Sequence, residues 1–206
     1  MISDQLRKWT RWLVEPIVTI LHRVGVTPNS LTILGFLLSL INTWLLATGR
    51  LPLAGVLILL FSALDALDGS LARLSGQVTR FGGFLDSVLD RYSEAVLFLG
   101  LLAYFAQRGS QDAVYLYVVY AAIIGSQLVS YARARAEGLG LHCTVGWFTR
   151  VERIILLSLG LLIGWVRPVL WVLAILTNVT ALQRIVHVYR LTRGEAGRAA
   201  TTAERH

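Results

Sequence analysis

The chain has a single cysteine, Cys143, so no disulfide can form within it and the fold must hold by packing. Charge is scarce. Only 15% of the 206 residues are charged against 55% hydrophobic, and the mean hydropathy of +0.64 excludes an ordinary soluble domain of this size. Residues 53–64 and 95–106 hold no charge at all, and no internal repeat is visible. The charge that remains is mostly basic, net +7, and it sits at the ends of apolar segments. That placement suits anionic lipid headgroups and an anionic substrate, and argues against nucleic acid as a partner.

Six segments, roughly 30–48, 52–74, 82–106, 112–136, 150–166 and 168–190, could each cross a bilayer core that needs about 20 apolar residues. The fifth is the shortest in strictly apolar terms. Breaks are expected at Thr48-Gly49-Arg50, Ser75-Gly76-Gln77, Arg108-Gly109-Ser110, between Glu137 and Gly146, and at Arg167-Pro168. Ahead of the spans, Leu6, Trp9, Leu13, Ile17, Ile20 and Val24 recur at helical spacing with Arg7, Lys8, Arg11, Glu15 and Arg23 interleaved. This predicts an amphipathic helix lying in the membrane interface rather than a cleavable leader. The expected organisation is an interfacial helix and linker over 1–29, a six-helix transmembrane domain over 30–193 and a loose tail over 194–206. With six spans both termini share one side. That side collects all the Lys and Arg except Arg50, Arg108 and Arg167, so both termini are expected in the cytoplasm.

Against this apolar background stand four aspartates. Asp65 and Asp68, three residues apart, end the second span on one helix face. Asp86 and Asp90, four apart, begin the third, again on one face. The turn between the spans is short, so the two faces can meet at the cytoplasmic side. Four carboxylates in a low-dielectric site repel unless neutralised. All-oxygen ligation suits Mg²⁺ or Mn²⁺, and four acids can hold two ions that clamp phosphoryl oxygens. Two alternatives stay open on the residues alone: salt bridges to Arg73, Arg80 or Arg91, and an ion pathway. A pathway would spread its acids through the membrane depth, whereas these gather at one end. Gly69 and Gly82 would let a ligand approach the two helices, and Arg73 offers a planar fork for phosphate.

The stretch Asp65-x2-Asp68-Gly69-x2-Ala72-Arg73-x8-Gly82-x3-Asp86-x3-Asp90 fills all eight fixed positions of the CDP-alcohol phosphotransferase motif, and "VGVTPNSLTILG" at 24–35 resembles that family's segment after the interfacial helix. The resemblance implies an all-α integral membrane protein, a homodimer, two divalent metals and a cytoplasm-facing site. It implies transfer of a phosphatidyl-type group from a CDP-linked lipid, such as CDP-diacylglycerol, to an alcohol, with release of CMP. By resemblance Asp65, Asp68, Asp86 and Asp90 ligate metal, and Asp90 also takes the acceptor hydroxyl's proton. Gly69, Arg73 and Thr79 would contact the cytidine diphosphate, helped by Asn29, Ser30, Leu31 and Thr32.

For the acceptor, "SYARARAEGLG" at 130–140, "RVER" at 150–153 and "QRIVHVYR" at 183–190 put arginines at cytoplasmic helix ends. These segments, and "TRFGGFLDSVLDRYSE" at 79–94, are similar to those of bacterial phosphatidylinositol-phosphate synthases. That likeness implies that Arg133, Arg153 and Arg184 hold the phosphate of inositol phosphate. At 133 those enzymes tend to carry lysine, and glycerol 3-phosphate, also phosphorylated, stays open as the acceptor. So does an archaeal-type lipid donor. Outside this family the competing reading is a small cation transporter.

Overall fold

The computed structural model describes residues 16, 19, 20, 23, 25–74, 76 and 78–203, with the side chains of 63–70, 73, 74 and 194–203 outside the description. Among the described residues every regular element is helical: α1 (Pro28–Ala47), α2 (Leu51–Leu74), α3 (Arg80–Ala106), a 3₁₀ turn (Ser110–Asp112), α4 (Ala113–Gly138), α5 (Arg150–Leu162) and α6 (Val166–Ala203). The expected interfacial helix over 3–24 falls largely outside them; Pro16, Thr19, Ile20 and Arg23 are helical and exposed.

Among the described residues three helical stretches are long and apolar enough to cross a membrane: Pro28–Ala47, Ser110–Gly138 and Val166–Arg193. In α2 the charge-free run covers residues 51–64 before Asp65 and Asp68, and α3 carries Asp86, Asp90, Arg91 and Glu94 in its first half. Helix α5, at 13 residues, spans only about 20 Å, short of a hydrocarbon core of ~30 Å. Trp44, Leu60, Tyr117, Ile175 and Leu182 are exposed, as apolar side chains facing lipid must be.

The last break differs from expectation. Helix α5 stops at Leu162, and Gly164, at φ +76, makes the turn, whereas Pro168 lies inside the first turn of α6. Proline has no N–H to donate, and the first helical turn needs none from it. Helix α6 continues to Ala203, into the stretch expected as a tail, because Ala, Glu and Arg favour helix and no proline stops it.

The chain divides into two compact units, 1–101 and 102–206. In the first, α1 packs on α2 and Asn42 Nδ2 donates to the Ala54 carbonyl at 3.3 Å. Gly100 lets α3 approach α1 closely, since a Cβ there would lie 2.6 Å from the Thr43 carbonyl oxygen. Leu46, Ala54, Leu71 and Leu101 are fully buried in this unit. In the second unit α4 and α6 pack along their length. Gly125 meets Thr177 and Asn178, and Asn178 Nδ2 donates to the Ala121 carbonyl at 3.0 Å. Glycine at such a crossing substitutes for the hydrophobic drive that lipid removes between helices. The sparse cations expected away from the cytoplasm have partners. Arg50 stacks on Trp44, while Arg108 and Arg167 both bond the buried Asp112 at 2.9 Å.

Candidate active site

The expected donor-side residues belong to the first unit. Helix α1 starts at Pro28 behind Thr27, its N-cap. The Ser30 hydroxyl donates to the Thr27 carbonyl at 2.7 Å and accepts the Thr27 N–H at 3.1 Å. This reciprocal cap commits Ser30 to the helix start, and Thr32 likewise donates to the Pro28 carbonyl at 3.1 Å. Asn29, half-buried in the first turn, is not occupied by the cap. Leu31, also half-buried, has only an apolar side chain to offer.

Helix α3 starts in the same way. The Thr79 hydroxyl accepts the Gly82 N–H at 2.9 Å, which makes Thr79 its N-cap. Gly82 is the point where the two starts meet: a Cβ on it would lie 2.9 Å from Thr79 Oγ1 and 3.0 Å from Asn29 Oδ1. Three residues singled out in the sequence, 50 positions apart, therefore converge on one spot. The chain carries no side chain there because two polar groups already approach it.

From that start α3 runs on through Asp86 and Asp90, one helical turn apart and both half-buried. Continuous helix through Leu74 puts Asp65 and Asp68 within one turn of each other on α2; their side chains, with those of Gly69 and Arg73, lie outside the described residues. Among the described residues no three His, Cys, Asp or Glu gather, and Asp65 and Asp68 are not among them. The donor set, four carboxylates and no sulfur or imidazole, is one that hard divalent cations accept. The residues present therefore fit such an ion. Phe36 of α1 packs edge-on against Tyr92 of α3, with centroids 6.4 Å apart, which ties α1 to the aspartate-bearing part of α3.

The three expected acceptor arginines belong to the second unit, and Arg133 and Arg153 are the cations that act on Arg184. Their surroundings differ. Arg133 is exposed and pairs with Glu137 one turn on, Nε to Oε1 at 2.8 Å. Arg153 is buried in the first turn of α5. Arg184 is buried too, with Nε donating to the Val145 carbonyl at 3.0 Å and Nη1 to the Val129 carbonyl. One guanidinium thus links α4, the following loop and α6. Gly146, next to Val145 and at φ +120, leaves room for it: a Cβ would meet Thr180 at 2.6 Å and Arg184 Nε at 3.4 Å.

Sequence reasoning passed over Glu152. Its carboxylate accepts the Thr149 N–H at 2.8 Å and also the Thr149 hydroxyl, closing the start of α5 just ahead of Arg153. The signal was there, since Thr149-x-x-Glu152 before an apolar run is the spacing of a capping box. Glu137, the partner of Arg133, was missed as well.

Comparison with known proteins identifies the family. The CDP-alcohol phosphatidyltransferase family matches residues 25–187, which takes in the starts of α1 and α3, both aspartate pairs and all three arginines. The archaetidylinositol phosphate synthase of Pyrococcus horikoshii is 37% identical over 183 residues, 88% of this chain and 94% of that protein. The phosphatidylinositol phosphate synthase of Mycobacteroides abscessus is 35% identical over 190 residues, 88% of this chain and 86% of that one. Among solved structures, the Mycobacterium tuberculosis phosphatidylinositol phosphate synthase with CDP-DAG bound superposes with a TM-score of 0.80 at 33% identity, covering 85% of this chain and 93% of its own. The same enzyme in complex with manganese and citrate also gives 0.80, at 34% identity. On the extent of the family match and these identities, the chain belongs to the CDP-alcohol phosphatidyltransferase family.

Proposed function

We propose that this protein transfers a phosphatidyl-type group from CDP-diacylglycerol to inositol phosphate, making an inositol-phosphate phospholipid and releasing CMP. The observation that carries the reading is the pair of aspartate pairs, Asp65/Asp68 on α2 and Asp86/Asp90 on α3, within an eight-residue motif filled at every position. The acceptor is supported by the relatives: those named for archaetidyl and for phosphatidyl lipids are about equally similar to this chain, and inositol phosphate is what their names share. The neighbour solved with CDP-DAG supports the donor.

In this reading Asp65, Asp68, Asp86 and Asp90 hold two divalent cations, Mg²⁺ or Mn²⁺, which when bound supply the positive charge that the diphosphate and departing CMP require. Asn29, Ser30, Leu31, Thr32, Gly69, Arg73 and Thr79 seat the cytidine diphosphate. Arg133, Arg153 and Arg184 hold the phosphate of the acceptor. Asp90 takes the proton of the attacking hydroxyl as the new P–O bond forms, and the P–O bond to CMP breaks with its electrons leaving on CMP. The architecture proposed with it is a homodimer of six-span chains in the cytoplasmic membrane. An N-terminal interfacial helix, both termini and the active site face the cytoplasm.

The test is direct. Purified protein is given CDP-diacylglycerol, Mg²⁺ and one of inositol, inositol phosphate, serine or glycerol 3-phosphate, and CMP is measured. Release with inositol phosphate alone is expected. Release with glycerol 3-phosphate instead would replace the acceptor, and release with none would remove the reading.

A further inference from the structure

We propose that the outer face of α6, near the end of its apolar stretch, carries a non-catalytic site for an anionic phospholipid. A cleft of about 490 Å³ runs along this face, roofed by the loop between α4 and α5. Its apolar wall is Val179, Leu182 and Val186, one stripe on α6, faced by Trp147, which is 88% exposed. Gln183 lies between Leu182 and Val186, and beyond the wall on the same helix come His187 and Arg190. From Val179 to Arg190 the helix rises about 16 Å, enough for a length of acyl chain capped by a phosphate-bearing head. Apolar contact therefore gives way to polar contact in the direction in which a phospholipid does the same.

The charge of the lining selects the headgroup. No acidic side chain lines the cleft and Arg190 does, so its polar end is complementary to an anion. His187 is steadied at the same end by the His142 carbonyl, 3.4 Å from its Nε2. Arg184 is not among the walls, and its guanidinium is committed to the Val129 and Val145 carbonyls. In the orientation proposed above the cleft opens into the cytoplasmic leaflet, where anionic phospholipids attract basic residues.

Native mass spectrometry of the full chain in detergent tests this with three defined probes: dioleoyl-phosphatidylglycerol, dioleoyl-phosphatidylethanol and dioleoyl-phosphatidylcholine. The first is anionic with hydroxyls, the second anionic without them and the third neutral. The two anionic lipids should be retained alike, each held roughly tenfold more tightly than phosphatidylcholine. Arg190→Gln should remove that preference, and Leu182→Trp, which fills the apolar wall, should weaken all three. Both variants should elute and release CMP like the wild type, which shows that they fold. Equal retention of phosphatidylglycerol and phosphatidylcholine, or wild-type retention by both variants, would overturn the proposal. Displacement of bound phosphatidylglycerol by CDP-diacylglycerol would also overturn it, by assigning the cleft to the reaction. So would a loss of dimers, rather than of lipid, in Leu182→Trp, because the occupant would then be a second copy of this chain. The retention measurements contain no CDP-lipid or acceptor, so their outcome does not depend on the proposed reaction.

Discussion

Arg184→Met separates two roles that the sequence could not distinguish. Methionine keeps an unbranched side chain in a position only 3% exposed, so packing changes little. What is lost is the pair of donors to the Val129 and Val145 carbonyls. A buried acceptor deprived of its donor costs about 1–3 kcal/mol. Val129 lies inside α4, where its carbonyl also takes a helical bond, so its share is at the low end, about 1 kcal/mol. Val145 lies in a loop, so the full range applies to it. The total is about 2–4 kcal/mol, and at about 2–4 °C per kcal/mol for a chain of this size Tm should drop by roughly 4–16 °C. The assay is thermal unfolding in detergent beside steady-state kinetics at saturating CDP-lipid. If Arg184 also holds the acceptor's phosphate, the acceptor KM of the folded variant should rise roughly tenfold. Melting within a degree of the wild type would refute the carbonyl clamp. A lowered Tm with an unchanged acceptor KM would make Arg184 a purely structural group and leave the acceptor's phosphate to Arg133 and Arg153.

Three other outcomes are expected. Asp90→Asn keeps the size and removes the proton affinity, so CMP release should collapse while CDP-lipid still binds; wild-type turnover would contradict its role as base. Chelation should abolish activity, and Mg²⁺ or Mn²⁺ should restore it and raise Tm, since an ion held by the folded state at 100 times its Kd adds about 2.7 kcal/mol; full turnover in excess chelator would leave the aspartates without ions. Gly82→Ala should displace the Thr79 hydroxyl and Asn29 amide oxygen, weakening a cap worth about 1 kcal/mol and raising the KM of the CDP-lipid but not of the acceptor; equal movement of both constants would show that this corner does not serve the donor.

The helices were legible where glycine ends them. Segments predicted at 30–48, 52–74, 82–106 and 112–136 stand within two residues of α1 to α4, because Gly49, Gly76 and Gly109 turn at positive φ. The error at Pro168 arose from reading proline as a stop, when the first turn of a helix tolerates it and Gly164 was the turn. Of the site, the convergence of Asn29 and Thr79 on Gly82 was not legible: Gly82 was read as an opening for a ligand, whereas the side-chain oxygens of Thr79 and Asn29 stand 2.9 and 3.0 Å from where its Cβ would lie. The commitment of Arg184 was not legible, since its acceptors are main-chain carbonyls, and these leave no trace in side-chain identity.

That kind of bond also bears on the transporter reading, which required polar groups reaching through the spans. The helices do hold polar residues within their apolar runs, among them Ser39, Asn42, Thr43, Ser62, Ser158 and Asn178. Their hydrogen bonds turn to the backbone. Ser39, Thr43, Ser62 and Ser158 donate to carbonyls three or four residues back on their own helices. Asn42 and Asn178 instead cross to a neighbour, at the Ala54 and Ala121 carbonyls. Hydroxyls that bond within their own turn are closed to a passing ion, and amides that tie two helices hold the packing in lipid, where apolar burial cannot. An ion path needs acceptors facing a common lumen, whereas these side chains act as donors spent on main chain. The carboxylates of α2 and the start of α3 are of another kind: grouped at one end, they can gather cations without a route through the membrane.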